Sequence, residues 1–295
     1  MRHIPIQNLQ EEFDEMYGTG AFESWKIKAS EHLEQIKSMN PDERSNHWKK
    51  NNIWMDLYPA LSRLSGHKCW YSEKKESEFS VDHFRPKALS KNHDGNKIQE
   101  SGYWWLSYYW GNFRLAGNLV NLLRKDRFTD EEEVYGKGNF FPLDLENGSK
   151  AQEGDLYCTI ESRLLLDPIV ASDTEKISFD QNGEPYPSYS EGDDLKNYMR
   201  GKLSIKYYGL KHTPLTRERA KIWVNCNNLV ELTNNYLKYN INNPALVTNK
   251  LDTCFEQFAE MANFKSPFSM VVKNYLLFKC KETNYEWLEK VLKVI

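Results

Sequence analysis

Residues 68–88 read KCWYSEKKESEFSVDHFRPKA and residues 102–128 read GYWWLSYYWGNFRLAGNLVNLLRKDRF. In the first stretch two β-prone pieces, KCWYS and EFSVDHF, flank a charged turn over residues 73–78, the pattern of a hairpin. In the second, an aromatic segment closes on Trp110-Gly111-Asn112, and the apolar spacing after it predicts a helix from about residue 115 to 125. A polar loop, residues 91–101, joins the two. Short strands next to a helix in one compact stretch set an α+β reading of the chain.

Working outward, Phe22, Trp25, Ala29, Leu33 and Ile36 trace an amphipathic helix that Met39-Asn40-Pro41 breaks. A second run over residues 42–64 carries Trp48, Ile53, Trp54, Leu57, Leu61 and Leu64, and Gly66 ends it as a helix-terminating glycine would. Residues 128–190 are rich in turn formers (GKGNFFPLDLENGS, DQNGEPYP), with strand-like pieces RLLLDPIV and KISFD. From about residue 191 helical patterns return. The longest is TPLTRERAKIWVNCNNLVELTNNYLKY, started by Thr213-Pro214, and three shorter amphipathic runs follow it. The division is a helical region over 1–65, a core over 66–190 and a helical region over 191–295.

Composition narrows the class. The chain has 295 residues, 40% hydrophobic and 27% charged, with a formal net charge of -3. That argues against wholesale disorder and against an unspecialised nucleic-acid binder. Charge is uneven, because residues 66–128 hold eleven Lys/Arg against seven Asp/Glu. A modestly basic patch in an acidic chain suits local contacts to a phosphate chain. The opening residues lack the apolar core of a signal peptide, and no apolar run is long enough to span a bilayer. Five scattered cysteines (69, 158, 226, 254 and 280) read as reduced thiols; the last four read as buried small hydrophobes. The expectation is a cytoplasmic protein. The acidic run at 131–133 reads as solvated surface, and the Trp/Tyr cluster at 103–110 reads as core in preference to a base-stacking platform.

Asp82-His83 at a strand end, Asn112 after Trp-Gly and Asn121 in the following helix form a chemically suggestive set. Hydrolysing a phosphodiester takes a base for water and a cation near the leaving oxygen. A histidine suits the first at neutral pH. Carboxylate and amide oxygens suit Mg2+ or Mn2+ for the second.

These residues carry a resemblance. KCWYSEKKESEFSVDHFRPKA, then YWWLSYYWGNFRLAGNLVNLLRKDRF, then FFPL resembles the ββα-metal core of the HNH endonucleases. More narrowly, it resembles the HNH nuclease subunit of Septu-type anti-phage systems and their retron-associated relatives. The likeness continues in ESRLLLDP, FDQNGEP and KYYGLKHTPLTRERA, so it spans roughly residues 66–220. It implies that His83 is the general base, Asp82 and Asn121 the ligands of one Mg2+ or Mn2+ ion, and Asn112 a brace for the loop that aims His83. Arg85, Lys87, Arg124 and Lys125 would contact nucleic-acid phosphate, with Arg114 a weaker candidate. Glu161 and Asp167 lie in a family-like segment and are minor candidates to reach such a site. The implied partner is an ABC-type or SMC-like ATPase docking on residues 191–295, and the implied substrate is DNA, with RNA not excluded. The family's four zinc cysteines fall here on Cys69, Ser72, Gly117 and Val120. One cysteine cannot satisfy a four-ligand site, so the expectation is no structural zinc, with the knuckle held by Trp70, Tyr71 and Trp104-Trp105 packing. Loss of those cysteines also leaves open a rival reading, a degenerate HNH fold that binds nucleic acid or a partner without catalysis.

Overall fold

The computed structural model describes residues 1–130, 132–283 and 285–293. Four helices open the chain: α1 (Leu9–Tyr17), α2 (Ala21–Ile36), α3 (Pro41–Lys50) and α4 (Tyr58–Leu64). Helix α3 begins at a capping box. The Asn40 side chain accepts from Glu43 N, the Glu43 carboxylate accepts from Asn40 N, and Pro41 sits where its missing N–H costs nothing. The predicted continuous run over 42–64 is broken. Asn51 turns both its backbone N–H and its side-chain amide onto the His47 carbonyl, and a 3-10 turn (Ile53–Leu57) separates α3 from α4. That break carries Trp54 away from the α3 axis. Gly66 ends α4 at φ +67°, and a Cβ there would lie 2.5 Å from Lys265 Cβ. Only glycine meets both conditions.

The middle holds two-stranded antiparallel pairs. β1 (Ser80–His83) pairs with β4 (Phe113–Ala116), and β2 (Ser90–Lys91) with β3 (Lys97–Gln99). A single helical turn, α5 (Asn118–Asn121), follows β4. Next come β5 (Arg124–Lys125) paired with β6 (Val134–Tyr135), and β7 (Ile177–Phe179) with β8 (Pro185–Pro187). Helices α6 (Leu195–Tyr207), α7 (Thr213–Tyr239), α8 (Pro244–Met261), α9 (Ser269–Lys279) and α10 (Leu288–Leu292) complete the chain, which is α+β overall. No described helix is long and apolar enough to cross a membrane.

Four local expectations are corrected. KCWYS is a compact turn and not a strand: Glu73 N closes back on the Cys69 carbonyl and Cys69 N on the Lys74 carbonyl, with left-handed backbone at His67 and Glu73 on either side. The partner of β1 is therefore β4, with Asp82 opposite Arg114 and His83 opposite Phe113. The predicted helix over 115–125 shrinks to α5, since Leu115 and Ala116 pair with β1, while Lys137 N and Gly138 N take the Val120 and Asn121 carbonyls that a continuing helix would use. RLLLDPIV is not a strand beyond one bridge at Arg163. Cys280 is half-buried, unlike the other four cysteines. Glu132 and Glu133 are exposed, and Glu131 lies outside the described residues.

Apolar burial divides differently from the predicted boundaries. One cluster runs from Met1 to Leu215 and takes in Phe268 and Val271, so the N-terminal helices share a core with the strands. A second, from Cys226 to Val291, belongs to α7–α10. Tyr103, Trp104, Trp105, Leu106 and Tyr108 are buried, as the core reading of the aromatic run requires. Deep in the first cluster, Arg114 makes a two-pronged bond to Asp167, at 2.7 and 2.8 Å. Removing the guanidinium leaves a buried carboxylate unpaired. Arg114→Leu is expected to cost roughly 3–5 kcal/mol in urea denaturation, and a loss below about 1 kcal/mol would refute that account of the pair.

Candidate functional site

The β1 strand delivers Asp82 and His83 to the wall of a cavity of about 510 Å³. Val81, Asp82, His83, Pro86, Lys87 and Ala88 form one side; Asn121, Gly138 and Asn139 form another. The third side comes from α3 and the turn after it: Ser45, Trp48, Lys49, Asn52 and Trp54. Asp82, His83, Lys87 and Asn121, named from the sequence, thus meet at one cavity.

His83 is buried between the rings of Trp54 and Phe113, edge-on to both at 4.9 and 5.1 Å. Its Nε2 lies 2.9 Å from the Ser107 carbonyl oxygen. A carbonyl has no proton to give, so Nε2 carries the hydrogen and Nδ1 is left as an acceptor. Lys87 Nζ stands 3.5 Å from Nδ1. Burial, then the Lys87 and Lys137 charges, push the imidazole well below its ordinary pKa, and it is neutral. The Lys87 ammonium rests over the Trp54 ring at 4.8 Å and the Trp48 ring at 5.7 Å. Burial lowers it to about 8 against the pull of Asp82, so it remains mostly charged near neutrality.

Asn112 is buried and pairs with the backbone just past His83. Its Oδ1 accepts from Arg85 N at 2.8 Å, its Nδ2 donates to Arg85 O at 3.0 Å, and its own carbonyl accepts from Phe84 N. These three bonds fix the chain direction from His83 to Arg85.

The Asp82 carboxylate accepts from Tyr71 Oη at 2.8 Å and from Lys137 Nζ at 2.8 Å. The same Lys137 ammonium donates to the His83 carbonyl at 2.8 Å and is itself buried. Burial lowers its pKa while Asp82 opposes the shift. Sequence reasoning missed Lys137, because fifteen intervening positions part it from Asn121. In space the β5–β6 hairpin loops out and Lys137 returns beside α5. Its position just before Gly-Asn-Phe-Phe-Pro-Leu, inside the family-like run, was the available signal. Trp48, Lys49, Asn52 and Trp54 were missed for another reason: their spacing reads as a helix core.

The other predicted phosphate contacts do not reach this cavity. Arg85 Nε donates to Glu161 at 2.8 Å, and its guanidinium lies 5.1 Å from the Phe141 ring centre. Arg114 and Asp167 are spent on each other. Arg124 and Lys125 belong to the hairpin, where Lys125 pairs with Glu132. Around the knuckle expected to lack zinc, the Cys69 thiol accepts from Gly117 N at 3.2 Å and Ser72 N at 3.5 Å, so positions 69, 72 and 117 converge. Trp70 Nε1 donates to Leu61 O, and Tyr71 packs on Tyr208 with ring centres 4.2 Å apart. Trp104 and Trp105 hydrogen-bond instead to Glu153 and Asp155, which corrects their place in the knuckle.

With this geometry in view, the comparisons bear on one family. The chain is similar to Septu protein PtuB of Bacillus mycoides (strain KBAB4). Identity is 28% over 165 residues, 55% of this chain and 49% of that relative, so the match spans about half the length of each. No protein-family model matches the chain. Among the described residues no three His, Cys, Asp or Glu side chains converge as metal ligands.

The tautomer of His83 is open to direct test. In 15N-resolved spectra His83 is expected to show a protonated Nε2 and an unprotonated Nδ1, with no titration step at the ordinary histidine value. Titration near the ordinary value, about 6.5, or a protonated Nδ1 would overturn the assignment. Because the folded-state value lies below the unfolded one, this group destabilises the fold as pH falls through the unfolded value.

Proposed function

We propose that the chain is a metal-dependent nuclease of the HNH kind, hydrolysing DNA as the effector of a Septu-type anti-phage system. The observation that carries the proposal is one cavity shared by a neutral His83 with an unprotonated Nδ1, the Asp82 carboxylate, Asn121 and Lys87, whose ammonium stands 3.5 Å from that nitrogen. The similarity to a Septu protein supports the same reading for the matched region.

Asp82 and Asn121 offer the hard oxygen donors that suit Mg2+ or Mn2+. The Tyr71 and Lys137 bonds use one lone pair on each Asp82 oxygen, which leaves others available, so the residues fit such an ion. When bound, it would supply positive charge against charge developing on the phosphate and leaving oxygen. The chain's own groups do the rest. His83 Nδ1 accepts a proton from a water molecule, which makes that water a nucleophile for phosphorus. The Ser107 carbonyl holds the ring so that Nδ1 faces the cavity and stabilises the imidazolium that forms. Lys87 binds a phosphate oxygen, and the Trp48 and Trp54 rings keep water from its flanks. Asn112 fixes the His83–Arg85 backbone, and Lys137 fixes Asp82. Helices α6–α10 offer the docking region for an ABC-type or SMC-like ATPase partner.

A non-catalytic phosphate-binding module is the second reading. It is favoured by the Lys137 ammonium, whose charge offsets that of Asp82.

The deciding assay is nicking of plasmid DNA by purified protein with Mg2+ or Mn2+, with and without the ATPase, and with RNA in parallel. His83→Ala is expected to lower the rate by roughly 10²–10⁴. Cutting that survives the substitution would move the chemistry elsewhere. Binding without cutting under every ion and with the partner present would select the module.

A further inference from the structure

A second cavity, about 810 Å³, lies among residues 1–4, the β7–β8 pair and α9, and shares no lining residue with the first. Its volume falls within the range of small-molecule sites, about 300–1,000 Å³. Arg2, His3 and Lys273 line it, against a single carboxylate, Glu175. Among the described residues, none of those three basic side chains has an ion-pair or hydrogen-bond partner. Arg2 and Lys273 are close enough that the guanidinium adds to burial in lowering the Lys273 pKa, with Glu175 opposing. Arg2 also depresses Lys68, behind the burial and Glu73 effects there. Two cations gathered in a recess with a single carboxylate leave an excess of positive charge, and an anion placed between them lowers the energy.

The remaining walls limit what that anion can be. Phe264, Met270 and Leu277 form an apolar side. The Ser178 and Ser188 hydroxyls, 2.9 Å apart, satisfy each other and can turn toward a ligand. A guanidinium beside an ammonium favours a multiply charged phosphate over a single carboxylate. The recess, flanked by apolar side chains, suits a small molecule with a flat or apolar body.

We infer that this cavity binds a small phosphorylated molecule, its phosphate held by Arg2 and Lys273 and its body seated on Phe264, Met270 and Leu277. Position gives such a ligand leverage. Helix α9 contributes Val271 to the first core cluster and Val272, Tyr275 and Leu276 to the second, and Asn274 accepts from Phe179 N of β7 at 3.1 Å. A molecule bound here ties the strand layer to the C-terminal helices, independently of the chemistry proposed for the first cavity.

The test is titration calorimetry of the full chain, free of divalent ions, with inorganic pyrophosphate and with ADP as probes. ADP is expected to bind with Kd below about 1 mM, tighter than pyrophosphate, and to raise the melting temperature. Lys273→Glu and Arg2→Ala should each weaken binding at least tenfold while circular dichroism shows them folded, and Lys273→Arg should retain it. Lys87→Ala, in the other cavity, should leave binding unchanged. No heat with either probe, undiminished binding in folded Lys273→Glu, or loss in Lys87→Ala would overturn the site. Pyrophosphate binding as tightly as ADP would overturn the apolar seat.

Discussion

The arrangement depends on one buried ammonium. Lys137 reaches Asp82 and the His83 carbonyl together, so a single charge binds the end of β1 to the segment that returns after the β5–β6 hairpin. Without it, Asp82 would be a carboxylate out of water with only the Tyr71 hydroxyl to satisfy it. Its burial is tolerable because the carboxylate offsets the desolvation of the ammonium and the carbonyl accepts a hydrogen bond from a second of its N–H groups. The same charge also weighs against protonating His83, so a device that holds the fold contributes to keeping the imidazole neutral.

Around that anchor, and beside the wall of Asn121, Gly138 and Asn139, three further stretches of chain assemble the site. The β1 strand supplies Asp82 and His83, the aromatic segment supplies the Ser107 carbonyl and Asn112, and the N-terminal helices supply Trp48 and Trp54. This explains why the first apolar cluster runs without a break from Met1 to Leu215. The N-terminal helices are a wall of the cavity, and the break at Asn51 is what turns Trp54 onto His83.

Much of this was legible in the sequence. Asp82, His83, Asn112 and Asn121 were named from their order, and the structure gathers Asp82, His83 and Asn121 at one cavity, with Asn112 one hydrogen bond behind it. The bounds of α7 follow its pattern closely, because a Pro start signal and an apolar stripe are local. What escaped was set by long-range geometry. The KCWYS turn looks like a strand by propensity, yet left-handed backbone at His67 and Glu73 and the bonds to the Cys69 thiol decide otherwise. Arg85 carried the right charge for phosphate, but its partner Glu161 lies far along the chain, beyond the reach of any local rule.

The β5–β6 hairpin has a consequence of its own. Its two ends are clamped to each other by bonds from Lys137 N and Gly138 N to the Val120 and Asn121 carbonyls, directly beneath the cavity. The hairpin is tied to the helices, with Asp126 accepting from Thr213 N and Oγ1 and Tyr135 packed edge-on to His212, but its exposed positions 127–130 can be lengthened cheaply, since a longer loop adds only a slow logarithmic term to its closure entropy. The position is therefore a natural graft point. A fluorophore, a peptide tag or a small folded domain could be inserted there and would report on the cavity from one turn of helix away without entering it.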